Sequence, residues 1–339
     1  MKLQIWKTVA GAVSGLALAC GIAAAEPQKV NIAFVVPDED ILGQAMHMMA
    51  DYMERSMPGR FDVAVHGSST LFTQSQQIPA MQRGNLDIGF VNVFDVSPNI
   101  PEASILTAGY LVRDVEHYCA ILNSDFGKKL RADIESKMNI VPLNQALIGS
   151  RTLVLRKKQE VNKPEDLANI TMREVGNEAF QFLAEALGAK PTPIAFGELY
   201  LALQTGTVDA FAGFSTAMKT TKFYEVTEQL VQTNHLLGVD MIAVSKAFWD
   251  KLSDSEKQVV REAADVASAF TITNRKRAEA NAIAELTGEL GMTVTTPDLA
   301  PFRSHMKEKY LASKFAQAWP AGLYEQIEAM PSEPGCTVK

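Results

Sequence analysis

"IPAMQRGNLDIGF", residues 78–90, and "YLALQTGTVDAFAG", residues 200–213, share one outline: apolar helical residues, a glycine, and an abrupt strand. In each, the glycine (Gly84, Gly206) takes the left-handed conformation that stops a helix and turns the chain directly into a strand. The chain builds the same corner twice, and that duplication decides the fold.

Outward from the first corner, "KVNIAFVVP" (29–37) reads as a buried strand. Residues 40–56 carry Ile41, Ala45, Met48, Met49, Tyr52 and Met53 at helical spacing. "FDVAVHG" (61–67) is a second strand, 74–83 a helix, and "LDIGFV" (86–91) a third strand. Strand alternating with helix implies crossover connections and an open sheet with helices on its faces, which gathers ligands at the carboxyl ends of its strands.

The pattern restarts after "MNIVPLNQALIG" (138–149). "SRTLVLR" (150–156) is a strand, Pro164 opens a short helix, and "NITMRE" (169–174) is another strand. Asn177 caps a helix to Leu187, closed by Gly188. "PTPIAF" (191–196) is extended, 196–204 helical, and "TVDAFAGF" (207–214) a strand. From Ser253 to Leu290 there is no proline and one glycine, Gly288, and Ser253 with Glu256 forms a capping box. Unbroken, that helix reaches about 50 Å, too long for one small lobe. The expected fold is α/β: two α/β lobes, a hinge and a long helix spanning both. Lobe I takes 26–148 plus 239–278, lobe II 149–238 plus 279–322, and 323–339 is a C-terminal tail.

Lys2 and Lys7, an uncharged run from Thr8 to Ala25 and the small residues Ala23-Ala24-Ala25 describe a signal peptide (1–25) cleaved after Ala25. Lipid anchoring at Cys20 is the rival, disfavoured by Leu18 two places earlier. Beyond Ala25 there are 30 basic and 39 acidic residues, a net charge of −9. No basic cluster could neutralise a phosphate backbone, so nucleic acid is not an expected partner. Cys119 and Cys336 could pair in an oxidising compartment and clip the tail to an early helix. A secreted, acidic, two-lobed chain with a cleft suggests a protein that closes on a small molecule by hinge motion.

The five histidines are scattered and form no metal pattern, and no phosphate loop or dinucleotide fingerprint is present. "GFSTA" (213–217) approaches a nucleophile elbow, with Ser215, Asp240 and His305 in hydrolase order, but Ala217 replaces the last glycine and no upstream oxyanion segment exists. The useful charge is Arg173, near a strand end and four residues before the Asn177 cap. A guanidinium beside a helix N-terminus favours a carboxylate. Arg151 could add a second positive contact, and the alternative for both arginines is pairing with Glu174 and Glu178. Phe211 and Phe214 end the second corner's strand, where they serve either as core or as a stacking wall.

"GAKPTPIAFGELYLALQTGTVDAF" (188–211), "KFYEV", "TNHLL" and "LSDSEKQVVREAA" resemble the substrate-binding subunits of tripartite ATP-independent periplasmic (TRAP) transporters, and the resemblance covers nearly all of the chain beyond the signal. It implies a periplasmic binding protein-like fold, with two α/β domains joined by crossing strands. It further implies capture of a small organic acid ligand in the cleft and delivery to integral-membrane TRAP permease subunits, with no cofactor and no catalysis. The family's binding arginine in "K-I-R-V-P" falls on Arg173 of "TMREV", and a second after "G-T-R" on Arg151 of "GSR". Where members continue "V-D-G-Q-E-N-P", this chain has "VDAFAGF": the asparagine falls on Gly213 and the proline on Phe214. An acidic position after an early "Q-L-G" step falls on Gln74. Lost polar grip and added aromatic surface point to a monocarboxylate with an apolar or aromatic body. The alternatives are a periplasmic protein feeding a sensor receptor and a secreted serine hydrolase using Ser215.

Overall fold

The structure, a computed structural model, describes residues 26–334. The chain begins β1 (Gln28–Ala33), α1 (Ile41–Ser56), β2 (Phe61–His66), α2 (Gln74–Gln82), β3 (Ile88–Asn92), α3 (Val93–Val96), α4 (Val115–Asn123) and α5 (Asp125–Met138). It continues with β4 (Ile140–Leu155), β5 (Thr171–Glu174), α6 (Glu178–Leu187), β6 (Lys190–Pro193), α7 (Leu199–Thr205), β7 (Ala210–Phe214) and β8 (Gln229–Ser245). It ends with α8 (Lys246–Trp249), α9 (Asp254–Gly288), β9 (Thr293–Thr295), α10 (Ala300–Leu311) and α11 (Leu323–Ala329).

The strands form one sheet in the order β2-β1-β3-β8-β4-β7-β5-β6, with β9 beside β8. β1 runs parallel to β2 and β3, and β5 parallel to β6 and β7. Between these two parallel wings lie the long antiparallel partners β4 and β8. The pair is bulged between Leu147 and Gly149, where Gly149 (φ +126°) lies opposite Gly238. A β-carbon on Gly238 would stand 2.6 Å from the Phe214 ring, so glycine is needed for close packing there. "SRTLVLR" is therefore not a strand of its own but the second half of β4. Pro164 opens a 3-10 turn, Pro164–Leu167, rather than an α-helix.

Helix α1 shows why local pattern becomes packing. Asp40 caps it, accepting from Leu42 N at 2.9 Å, and Met46, Met49 and Met53 recur at helical spacing and are fully buried. Each such side chain contributes about 1.5–3 kcal/mol of burial. They face α9, whose inner positions Ala263, Ala264 and Ala267 are small enough for close approach. The 35-residue α9 opens with the Ser253–Glu256 capping box and extends from that core to Leu286 beside α7 and β7. One helix thus braces both wings, as its unbroken sequence implied.

The stretch expected as a tail contains α11, with Leu323, Tyr324 and Ile327 buried. His117 Nε2 on α4 donates to the Ile327 carbonyl at 2.9 Å, and Arg113 donates to the Glu328 carbonyl at 2.8 Å. Ser332 donates to Asp114 at 2.8 Å. Cys119 is buried on the same helix and is disulfide-bonded. Cys336, its expected partner, lies outside the described residues, as do Cys20 and the signal segment 1–25.

Candidate functional site

Strand register sets the site. Arg173 on β5 lies beside Phe211 on β7, and Arg151 on β4 lies opposite Phe214. Because side chains alternate along a strand, Arg173, Phe211 and Gly213 share one face, while Arg151, Glu174 and Phe214 share the other. All of these but Glu174, which is fully buried, reach the same cleft at the ends of these strands. Arg173, Arg151, Phe211, Gly213, Phe214 and Gln74 line it, with an empty volume of about 1340 Å³ including its open mouth. That space suits a small molecule, not a folded partner.

Arg173 is 5% exposed. Its Nε donates to the Ile194 carbonyl at 2.8 Å, and its guanidinium stands 5.8 Å from the Phe196 ring centre. Among the described residues no carboxylate comes within 4.0 Å of it, and its two terminal nitrogens have no protein partner. Burial pulls its pKa down to about 10, Glu174 opposes this and Arg151 adds to it. The group stays protonated at neutral pH, held in place with no carboxylate in ion-pair range.

Arg151 is different. It sits 3.7 Å from Glu174 and stacks on Phe180 and Phe214 at 5.2 and 5.3 Å. The alternative reading of this arginine therefore holds in part: Glu174 is its neighbour, whereas Glu178 pairs with Lys314. The ion pair is too long for a hydrogen bond. Arg151 Nη1 and both Glu174 carboxylate oxygens are buried without a partner, and burial pushes Glu174 up to about 7.

Phe211 is 3% exposed and packs edge-on against Phe223 at 5.0 Å, so most of its ring is core and only its edge faces the cleft. Phe214 is half-buried and offers more surface. Gly213 leaves room for the Phe211 ring, since a β-carbon there would lie 2.6 Å from it. Asn177 does not line the cleft. It caps α6, accepting from Phe180 N at 2.9 Å, and its amide donates to Asp95 at 2.7 Å. Gln74 donates to the other Asp95 oxygen at 3.1 Å. The two residues position Asp95.

Sequence reasoning missed an acidic end of the cleft. Asp95 on α3, Asp240 on β8 and Tyr118 on α4 line it. Asn92 donates to Asp240, whose pKa is pushed up to about 6, chiefly by burial, with Asp95 adding and Arg151 opposing. Burial also raises Asp95. The Tyr118 hydroxyl is buried without a hydrogen-bond partner. Close by, His235 is held neutral, its pKa lowered to about 3 by burial and then by Arg151. A signal existed: continued past Phe90, the corner echo aligns Asn92 with Phe214 and α3 with the 3-10 turn Ser215–Ala217.

Ser215 faces a separate small hollow with Thr152 and Glu279, Asp240 faces the main cleft, and His305 lies on α10. These three side chains do not hydrogen-bond one another, so the hydrolase arrangement is not assembled. Among the described residues no group of three or more His, Cys, Asp or Glu is placed to hold a metal ion, and no helix is long and apolar enough to cross a membrane.

Residues 32–317 match the family "Bacterial extracellular solute-binding protein, family 7". The sialic acid-binding periplasmic protein SiaP of Vibrio cholerae is 32% identical over 264 residues, 78% of this chain and 81% of that protein. A TRAP periplasmic solute-binding protein from Roseobacter denitrificans, solved with 3-deoxy-D-manno-oct-2-ulosonic acid, superposes with a TM-score of 0.85 at 33% identity, covering 89% of this chain and 99% of that one. Another, from Polaromonas, solved with D-erythronate, gives 0.83 at 27% identity, covering 90% and 99%.

Proposed function

This chain belongs to the bacterial extracellular solute-binding protein family 7, and on that footing we propose that it captures a small organic acid and delivers it to a membrane-embedded TRAP permease. The unpaired, enclosed Arg173 carries the reading: an always-charged fork facing a cleft matches the two oxygens of a carboxylate. Arg151, already leaning on Glu174, supplies field more than contact. Phe214 and the edge of Phe211 form the wall for an apolar or aromatic body, in keeping with Val36, Phe90, Ile148 and Leu237 elsewhere in the lining.

Closure would turn on the bulged Gly149–Gly238 step of β4 and β8, with 26–148 and 239–278 moving against 149–238 and 279–322. The protein works in the periplasm after cleavage behind Ala25. The proposed partner of Cys119 is Cys336, a reading supported by the Ser332–Asp114 and Arg113–Glu328 contacts, which bring the chain as far as Ser332 to α4.

A thermal-shift screen over carboxylates, sulfonates and aromatic acids identifies ligands, since binding to the folded form raises its melting point. Arg173→Ala then loses about 2–5 kcal/mol of binding, roughly 30-fold or more in Kd by calorimetry. Unchanged affinity would remove Arg173 from the site.

A further inference from the structure

Of the three aspartates that line the cleft, only Asp40 is bonded to an arginine. Arg275 is taken by Asp40 at 2.5 Å, both 1% exposed, and Arg151 leans on Glu174. What remains is Arg173 at one end, Asp95 and Asp240 at the other. A simple carboxylate would satisfy Arg173 and leave two enclosed acids hydrogen-bonded only to amides, from Gln74, Asn177 and Asn92, with Arg151 acting on both through its field alone. Amides supply hydrogen bonds but no neutralising charge.

A second observation points to the same place. Tyr118 is 3% exposed, its hydroxyl has no partner, and it lines the cleft within electrostatic reach of Asp240. A buried hydroxyl without a partner costs stability in the empty protein and accepts a hydrogen bond once a donor arrives. Between the two ends the lining is mostly Val, Leu, Ile and Phe, with few free polar groups for the many hydroxyls of a polyol.

We propose that the occupant is an amphoteric acid: a carboxylate at Arg173, an apolar body along the phenylalanine and valine walls, and a protonated amine received by Asp240, Asp95 and the Tyr118 hydroxyl. The proposal rests on the reading of Arg173 given above and names the other end of the same ligand. Arg173 comes from β5 in one parallel wing of the sheet, whereas Asp240 lies on β8 opposite Asn92 of β3 in the other wing and Asp95 on α3 just after it, so the two ends are set apart. Ligands with the amine distant from the carboxylate fit best.

The test is calorimetric titration of the full chain with matched pairs: 6-aminohexanoate and hexanoate, 4-(aminomethyl)benzoate and 4-methylbenzoate, L-phenylalanine and 3-phenylpropionate, with gluconate and glucuronate alongside. The aminated member of at least one pair should bind about tenfold or more tightly than its partner. Asp240→Asn should bring that ratio close to one, and Tyr118→Phe, which preserves packing, should reduce it; Arg173→Ala should weaken both members. The proposal is overturned if no aminated acid outbinds its partner, if the preference survives both variants, or if only the polyhydroxy acids bind. In that last case Arg173→Ala still weakening them leaves the anion site standing. If no acid in the panel binds, both readings fall.

Discussion

The two corners share one backbone hydrogen-bond pattern and part in their side chains. Gly84 and Gly206 adopt φ of +73° and +77°. Asn85 N donates to the Ala80 carbonyl at 2.8 Å, and Thr207 N to the Ala202 carbonyl at 2.9 Å. Asp87 accepts from Asn31 N on β1 at 2.8 Å, and Asp209 from Thr171 N at the start of β5 at 3.1 Å. Their carbonyls accept from Ser245 N and Arg156 N, both at 2.8 Å. Each corner strand lies between a parallel neighbour and one of the long antiparallel strands. Then β3 ends in Asn92, which holds Asp240, and β7 ends in Phe214, which covers Arg151. The backbone is duplicated to present two strand ends to one cleft, and a single side chain at each end sets its chemistry.

What ties the two wings together is Arg275 on α9. It pairs with Asp40 at the start of α1 and donates to Thr216, two residues past β7, at 2.9 Å. Breaking this join should have the largest effect. Asp40→Ala leaves a buried guanidinium without its counter-charge and costs about 3–5 kcal/mol, read from the urea midpoint at constant slope. Asp40→Ala combined with Arg275→Met should cost less than the two changes summed. Strict additivity would show that the pair does not act as a unit.

Smaller effects separate Asp87 from Asp209. Alanine at either strands a backbone N–H and should cost about 1–3 kcal/mol. Asparagine should divide them. Burial raises the Asp87 pKa, so Asp87→Asn keeps an acceptor, removes a poorly solvated charge, and should be neutral or stabilising at pH 7. Asp209 has Arg156 at 3.6 Å in a partly exposed pair, so Asp209→Asn should cost up to about 1 kcal/mol. Equal responses to asparagine would mean that the arginine contributes nothing to the difference.

Much of this was legible in the sequence because it is local. The glycine corners, the Ser253–Glu256 box, the Asn177 cap and the unbroken α9 each depend on residues a few positions apart, and each is present. Arg173 was legible through its place between strand end and helix cap. The continuity of β4 was not, since a sixteen-residue strand shared between two wings looks like a strand plus a linker until β8 is laid beside it. The acidic end was hidden for the same reason. Asp95, Tyr118 and Asp240 come from α3, α4 and β8, and only the fold brings them together. Asp240 drew notice in the sequence solely as a triad acid.

The subtlest difference between the corners is a titration. Asp240, beside Asn92, has its pKa raised from 3.8 to about 6, so the folded protein holds this proton more firmly than the unfolded chain. Stability from this group is present below about pH 4, falls as pH rises, and is gone above about pH 6. His117 and His235, whose pKa values burial lowers, act oppositely and lose stability as pH falls below the ordinary histidine range. The raw profile is therefore a contest, and the difference between parent and Asp240→Asn isolates the acid. In ligand-free urea titrations the variant should gain on the parent between about pH 4 and 6 and then run level with it at a fixed offset. Phe214→Leu, at the matching end of the other corner, removes no titrating group, so it should shift stability nearly equally at every pH. A sloping difference for Phe214→Leu, or a flat one for Asp240→Asn, would mean that the strand ends do not divide the chemistry of the cleft between them.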